Sequence, residues 1–155
     1  MTTSLTQYID LYTQHAEAIC AHAPAAMNAL RPDALAALGG ATLPKKGQED
    51  YEATDLEKVF APDYGVNINR VPFAPDAAAS FRCDVPNMST CLYFFFNDIF
   101  AESRTAARNT QAGLVIESFA DAQKNHPEVL QKHLGSLADL KKPEVALNTL
   151  LAQDG

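Results

Sequence analysis

The sequence lacks any apolar run long enough to cross a membrane. A transmembrane helix needs about 18 or more nearly continuous apolar residues, and the longest apolar run here is a short aromatic stretch at residues 92–96. Residues 1–4 also lack the basic side chains that precede the apolar core of a secretory signal. We therefore expect a cytoplasmic protein that has no membrane partner.

Positive charge is also scarce. The chain carries 12 Lys and Arg against 19 Asp and Glu, which gives a net charge of −7 at pH 7. Nucleic acids and anionic membranes are bound through clustered Lys and Arg, so neither is an expected partner. The 155 residues, 47% of them hydrophobic, are enough to form the core of one domain.

Cysteine is infrequent. The three cysteines, Cys20, Cys83 and Cys91, do not have the Cys-x-x-Cys spacing of a zinc or redox site. Without an export signal, reduced thiols are the expected state, although a disulfide between Cys83 and Cys91 stays open if they lie on neighbouring strands. The same pair supports the alternative function, a small thiol-dependent enzyme or metal carrier that uses Cys83 and Cys91.

The four histidines form two pairs with the same spacing, His15 with His22 and His126 with His133. The two members of each pair lie seven residues apart. On a helix this spacing corresponds to about 10.5 Å of rise. Two zinc ligands on one helix lie about three or four residues apart. We interpret these histidines as surface or partly buried side chains rather than as metal ligands.

Other candidate motifs have structural explanations. The glycine pair at 39–40 lacks the ending of a phosphate-binding loop and is typical of a helix end. The lysine pair at 45–46 is too short for a nucleic-acid surface. Adjacent Glu49 and Asp50 point in different directions in a strand or helix, and the aromatic run at 93–96 is typical of a buried strand. The residues alone therefore predict no enzyme and assign no catalytic, cofactor-binding or metal-binding residue.

Residues 1–40 predict an Ala-rich helical hairpin. A first apolar face recurs at helical spacing at Leu5, Ile9, Tyr12, Ala16, Ile19 and Ala23. Ser4 with Gln7 predicts a capping box at its start. A second stripe runs over residues 27–38, where Pro32 should kink or split it, and ends at the glycine pair.

Residues 41–155 predict a small α+β region that forms one domain with the hairpin. Strands are predicted at 65–71, 92–96 and 113–117, and Asn97-Asp98 predicts a tight turn to a returning strand at Ile99-Phe100. Short helices are predicted at 53–60, after the N-cap residue Ser118, and from Pro127 and Pro143. The expected fold class is α+β, with a small mixed or antiparallel sheet.

Three segments, in the same order, resemble the SufD branch of the SufB/SufD family of iron–sulfur cluster assembly proteins. Residues 43–56 are similar to a signature of Leu-Pro, a basic stretch and Glu-Asp-Tyr/Trp-x-Tyr-Thr-Asp-Leu, with Ala53 where the family has Tyr. Residues 113–119 and 126–135 resemble the passage Gly-Val-x-Val-x-Ser-Leu followed by Pro-Glu-Leu-Val and Gly. Residues 146–155 are similar to the Ala-Leu-Asn…Asp-Gly passage.

The resemblance implies the N-terminal domain of a longer protein. In the family this region is followed by a right-handed β-helix, which is absent from this chain, and by a helical C-terminal segment. Family members act with SufB and the ATPase SufC, which implies a non-catalytic scaffold role with SufB and SufC as partners of the full-length protein. It also implies that the cluster and ATP are handled by the full complex, so no cofactor is expected here, and Cys20, Cys83 and Cys91 match no family motif.

Overall fold

A computed structural model describes residues 3–71, 94–96, 99–101 and 113–153. Within them the helices are α1 (Ser4–Ala21), α2 (Ala25–Asn28), α3 (Arg31–Leu38), α4 (Leu56–Phe60), α5 (Phe119–Asn125), α6 (Pro127–His133) and α7 (Pro143–Leu151). Two short strands, β1 (Phe94–Phe96) and β2 (Ile99–Ala101), complete the described elements.

Proline and glycine mark the breaks between the N-terminal helices, and α1 contains a further break that neither residue predicts. α1 departs from helical geometry at His15 (φ −123°, ψ 18°), and Pro24 precedes α2 as its N-cap. Pro32 lies in the first turn of α3, where a missing amide N–H removes no helical hydrogen bond. The second predicted stripe is thus split into two helices. As predicted, α3 ends at Gly39 and Gly40, and Gly40 has a φ of 78°.

The predicted capping box at the start of α1 is wrong. The N-cap is Thr3, whose side chain makes no capping hydrogen bond. The Ser4 hydroxyl donates to the main-chain carbonyl of Glu57 at 2.9 Å, and Gln7 Nε2 donates to the carbonyl of Phe60 at 2.6 Å. Carbonyls in the last turn of a helix have no partner within it. The packing of α4 on α1 brings these carbonyls within reach and draws both side chains away from the cap.

The core forms where α3 packs against α7, which is the most extensive helix–helix contact of the described residues. Ala34 on α3 and Ala146 on α7 are both 0% exposed, and such small side chains allow two helices to approach closely. The buried cluster consists of Leu5, Tyr8, Ala34, Leu38, Leu43, Ala146, Leu147 and Leu150. The main partner of α3 is therefore a helix from the far end of the chain, rather than the α1 helix that the predicted hairpin places beside it.

Residues 41–60 connect this core to α4. Gln48 and Tyr51 form an isolated antiparallel bridge around a tight turn, and Gly47 at its start has a φ of 96°. The helix predicted at 53–60 is confirmed as α4, which starts later, at Leu56. Its N-cap is Asp55, whose side chain accepts a hydrogen bond from the Lys58 amide at 3.2 Å.

One of the predicted strand pairings is confirmed. β1 and β2 are antiparallel, with Phe96 opposite Ile99, so two residues separate the strands. The turn residues Asn97 and Asp98 themselves lie outside the described residues. The Phe95 and Phe100 rings pack with their centroids 5.1 Å apart.

The strand predicted at 65–71 is wrong, because this segment folds back on itself. The side chain of Asn67 accepts a hydrogen bond from the Val71 amide at 3.0 Å, and the Ile68 amide donates to the Val66 carbonyl at 2.8 Å. Arg70 adopts a φ of 50°, which is incompatible with a strand. Asn commonly makes such local hydrogen bonds and so competes with extended pairing.

The strand predicted at 113–117 is also wrong. No part of it pairs in a ladder with another described residue, and Leu114 and Val115 are about half exposed. Its Glu117 side chain instead accepts a hydrogen bond from Asn125 Nδ2 at 2.9 Å, so the segment is fixed to α5 by side chains. The expected mixed sheet is reduced, in the described part of the chain, to the β1–β2 hairpin, and helices dominate this part.

The three C-terminal helices begin where predicted. The Ser118 hydroxyl accepts a hydrogen bond from the Asp121 amide at 3.1 Å and caps α5. Pro127 and Pro143 occupy the first turns of α6 and α7. Gly135 follows α6 with a φ of 73°. In the described ranges, no helix combines the length and apolar character that crossing a membrane requires.

Candidate functional site

The four histidines lie at helix breaks and ends. His15 is the non-helical residue of α1 and His22 is its C-cap, and both are exposed. His126 lies between α5 and α6, with Nε2 3.6 Å from Oε1 of Glu117. His133 is the exposed last residue of α6. No group of three or more His, Cys, Asp or Glu side chains among the described residues could hold a metal ion.

Of the three candidate thiols, the structure describes Cys20. Cys20 is a half-buried free cysteine near the end of α1. Cys83 and Cys91, the pair behind the alternative function, lie outside the described residues, as does Tyr93 in the aromatic run. Whether Cys83 and Cys91 form a disulfide or an enzyme or metal site stays a prediction.

The charged pairs singled out in the sequence lie in the loop between α3 and α4. Lys45 and Lys46 are exposed at the turn that precedes Gln48. Asp50 forms an ion pair with Lys142, with Oδ2 and Nζ 2.9 Å apart, and this pair raises the pKa of Lys142. Asp50, one of the two adjacent carboxylates at 49–50, therefore links the loop to the start of α7.

A second contact lies beside this ion pair. The Tyr51 hydroxyl donates a hydrogen bond of 2.6 Å to Oε1 of Glu144, and this bond is the main cause of the raised pKa of Tyr51. Tyr51 and Asp50 both belong to a family-like segment, 43–56, and both hold the first turn of α7. The loop and the start of α7 are thus joined by two polar contacts. In one the loop supplies the acceptor, on Asp50, and in the other it supplies the donor, on Tyr51.

A buried arginine joins α3 to the end of α7. Arg31 is 1% exposed. Its guanidinium donates to the carbonyl of Leu150, to the carbonyl of Ala152 at 2.6 Å and to Oδ1 of Asn28 at 2.9 Å. The two carbonyls belong to the C-terminal end of α7, where helical partners are missing and the macrodipole favours a positive charge. Arg31 therefore acts as a cap for α7 supplied by another helix.

Burial changes the ionisation of the groups around Arg31. Removal from water lowers the pKa of Arg31 and, together with nearby Cys20, raises the pKa of Tyr12. The rise in the pKa of Tyr12 favours its neutral phenol. The guanidinium of Arg31 is occupied by two main-chain carbonyls and one amide oxygen, so this cluster is structural in its chemistry.

An open groove lies on the side of α7 that faces away from α3. It encloses about 790 Å³. Its lining residues are Tyr8, Met27, Phe60, Tyr64, Val66, Phe95, Phe119, Glu144, Leu147, Asn148, Leu151, Ala152 and Gln153. Volumes of about 300–1,000 Å³, with apolar walls and a few polar groups, are typical of ligand sites. Among the described residues, this groove is the best candidate for a binding surface.

Sequence reasoning missed the buried arginine and the polar residues of the groove. The burial of Arg31 was not predicted, because a charged residue at the start of a helix is usually exposed. Glu144 follows Pro143 in the first helical turn, where an acidic residue is usual for the macrodipole. One available signal was Gln153, a polar residue two positions past the last leucine of α7, and it is 6% exposed.

Comparison with known proteins gives one match. A family described as the SufBD protein N-terminal region matches residues 2–155. No curated protein and no solved structure matches the chain.

Proposed function

The chain belongs to the SufBD family through its N-terminal region, and from this premise we propose that it is a SufD-like component of the SufBCD iron–sulfur cluster assembly scaffold. The proposed role is structural and is exercised through protein–protein contacts in the cytoplasm. The family match over nearly the whole chain carries the proposal. Family membership supports a role in iron–sulfur cluster assembly. The assignment to SufD and the scaffold role are what we propose.

The polar groups of the described residues support a role in binding rather than in chemistry. Arg31 caps the end of α7, Glu57 accepts a hydrogen bond from the Ser4 amide of α1, and Glu144 accepts one from the Tyr51 hydroxyl. These charged side chains therefore stabilise contacts between segments of the chain. A catalytic site is expected instead to bring several reactive groups together in one cleft, whereas Glu144 is the single charged residue in the lining of the described groove. We propose that the chain is not an enzyme and that it holds neither cluster nor nucleotide itself.

The SufD assignment is supported by the three family-like segments, and a graft experiment separates it from SufB. Residues 1–155 replace the N-terminal region of a full-length SufD in one hybrid and of a full-length SufB in a second. Each hybrid is expressed in cells that lack the corresponding protein, and the activity of an iron–sulfur enzyme is measured. We expect the SufD hybrid to restore more activity; restoration by the SufB hybrid alone would contradict the assignment.

The proposed partners are SufB and SufC, both in the context of a full-length protein. A pull-down with tagged residues 1–155 as bait and purified SufC as prey tests where the SufC contact lies. We expect no SufC to be retained by this bait and retention by full-length SufD, the positive control. Retention of SufC by residues 1–155 alone would overturn this part of the proposal.

A further inference from the structure

The groove beside α7 has a continuous wall that follows the helix from its first turn to just beyond its last. Glu144, Leu147, Asn148 and Leu151 line it at helical spacing, so a single face of α7 forms this wall. Aromatic rings from α1, α4, β1 and α5 contribute to the other sides. Leu147 is 4% exposed, whereas Phe95 is 59% exposed, so the groove runs from the core to the surface.

Three hydrogen-bond donors of the groove, on Tyr8, Tyr64 and Gln153, are already in use. The Tyr8 hydroxyl donates to the carbonyl of Pro62 at 3.3 Å, and the Tyr64 hydroxyl donates to the carbonyl of Val59 at 2.8 Å. Gln153 Nε2 donates to the carbonyl of Asn67 at 3.3 Å. Tyrosine has one donor, and these bonds use the donors of both tyrosines.

The acceptors of the groove are not all in use. Oε2 of Glu144 and Oε1 of Gln153 have no hydrogen-bond partner among the described residues, and both atoms are shielded from solvent. Gln153 is itself more than nine-tenths buried, with 6% exposure. A buried acceptor without a partner destabilises the folded chain, because it has lost its hydrogen bonds to water. A donor delivered to the groove would recover part of this cost after a small rotation of either side chain.

The charge of the groove has one sign. Glu144 is its charged residue, and no Lys, Arg or His contributes to the lining. The whole chain has a net charge of −7, which adds to the negative potential. Aromatic faces also attract guanidinium and ammonium groups.

From this geometry we propose that the groove binds a segment of a partner protein that presents an Arg or Lys side chain next to apolar side chains. The cation lies at the Glu144 end of the groove, where Oε2 supplies an acceptor, and Oε1 of Gln153 supplies a second acceptor beyond the opposite end of α7. The apolar neighbours pack on Leu147, Leu151 and the rings. This site adds a binding function that family membership does not assign, and it stands whether or not the SufD assignment holds.

Three matched peptides test the proposal: acetyl-Phe-Arg-Leu-amide, acetyl-Phe-Gln-Leu-amide and acetyl-Phe-Glu-Leu-amide. Each is titrated into the ¹⁵N-labelled chain, and amide shifts are followed by NMR. We expect saturable shifts at Leu147, Asn148 and Gln153 with the Arg peptide. The Gln peptide should bind at least about fivefold more weakly and the Glu peptide more weakly still, as expected for a desolvated charge contact.

Two variants identify the residue responsible. Glu144→Gln keeps an oxygen that can accept from Tyr51 but removes the charge, and it should abolish most of the preference for the Arg peptide. Glu17→Gln, at an exposed position on α1 outside the groove, changes the net charge equally and should leave the preference unchanged. Equal binding of the Arg and Gln peptides, no saturable shift with the Arg peptide, or an undiminished preference in Glu144→Gln would each overturn the proposal.

Discussion

Arg31 is the residue on which the described core depends most. A charged side chain with 1% exposure must have its donors satisfied, and three acceptors surround this guanidinium. Two of them are main-chain carbonyls at the end of α7, so the arginine holds together segments that are far apart in sequence. Lys has a single charged nitrogen and cannot reproduce the planar fork of Arg.

Replacement of Arg31 should therefore be costly. We expect Arg31→Met to lower the free energy of unfolding by about 3 kcal/mol, because buried carbonyls lose charged donors, and Arg31→Lys by about half as much. Urea unfolding followed by circular dichroism measures both. An Arg31→Met chain as stable as the parent would instead indicate that apolar packing replaces this polar network at no cost, as occurs at some buried ion pairs.

Glu57 makes stability depend on pH. The Ser4 amide donates to Oε1 of Glu57 at 2.7 Å, and hydrogen bonding from Ser4 lowers the pKa of this carboxyl below the ordinary value of 4.5. A carboxylate whose pKa is lowered by folding stabilises the folded state above the unfolded pKa, and this contribution disappears as the pH falls through the folded pKa. The contribution is thus complete at neutral pH.

Comparison with Glu57→Gln isolates this effect. We expect the parent to be more stable than the variant at pH 7 and the difference to shrink progressively below the ordinary carboxyl value of 4.5. Thermal unfolding midpoints of both chains, measured from neutral to acidic pH, provide the test. A difference that grows as the pH falls has the wrong sign for this account.

At the scale of elements, α1 and α4 are joined by side chains that the sequence pattern assigns elsewhere. Gln7 donates to the carbonyl of Phe60 rather than returning to the start of its own helix. Gln7→Glu distinguishes the two arrangements, since Glu is a good capping-box residue but a carboxylate cannot donate.

We expect Gln7→Glu to destabilise the chain by about 1 kcal/mol, the scale of one lost hydrogen bond. Differential scanning fluorimetry of the variant beside the parent measures the change, and Gln48→Glu serves as the exposed control for the added charge. If Gln7→Glu were neutral or stabilising, the capping box would regain support.

The turn after α6 is a second element whose conformation is set by one residue. Gly135 has a φ of 73°, and a Cβ atom added there would lie 2.9 Å from Cδ1 of Leu30. Gly47 has a φ of 96° with nothing within 4 Å of the same added atom. Both glycines therefore adopt a positive φ, but they differ in what an added Cβ would meet: Leu30 at Gly135 and open space at Gly47.

We expect Gly47→Ala to cost about 1 kcal/mol through backbone strain and Gly135→Ala to cost more, since Leu30 must also move. Chemical denaturation of both single variants gives the two values. The extra cost at Gly135 should fall when Leu30→Ala is added as a second change. Equal costs for the two glycine substitutions would show that the Leu30 contact carries no energy.

At the scale of the whole molecule, local signals predicted local structure well. Pro127 and Pro143 each marked a helix start, Pro32 marked the split of the second apolar stripe, Gly39-Gly40 marked a helix end, and Ser118 marked an N-cap. These signals act over one turn of backbone, so a single sequence carries them in full. The β1–β2 pairing belongs to the same class, because its partners are neighbours along the chain.

Signals that depend on distant partners failed. Apolar alternation at 65–71 predicted a strand, but Asn67 formed local hydrogen bonds, and 113–117 joins no strand ladder with the other described residues. The contact of α3 with α7, the burial of Arg31 and the groove all join residues more than 100 positions apart, and periodicity contains no information about such partners. The resemblance supplied the family, whereas the residues alone supplied no site.

We propose that this SufBD N-terminal region works by contact and performs no chemistry of its own. Anaerobic incubation of the chain with ferrous iron, sulfide and a thiol reductant, followed by desalting and measurement of iron and sulfide per chain, tests it most directly. We predict background iron and no iron–sulfur absorption, for the parent and for Cys20→Ala alike. A stable cluster at a fixed ratio to protein, lost when a cysteine is replaced, would contradict the account.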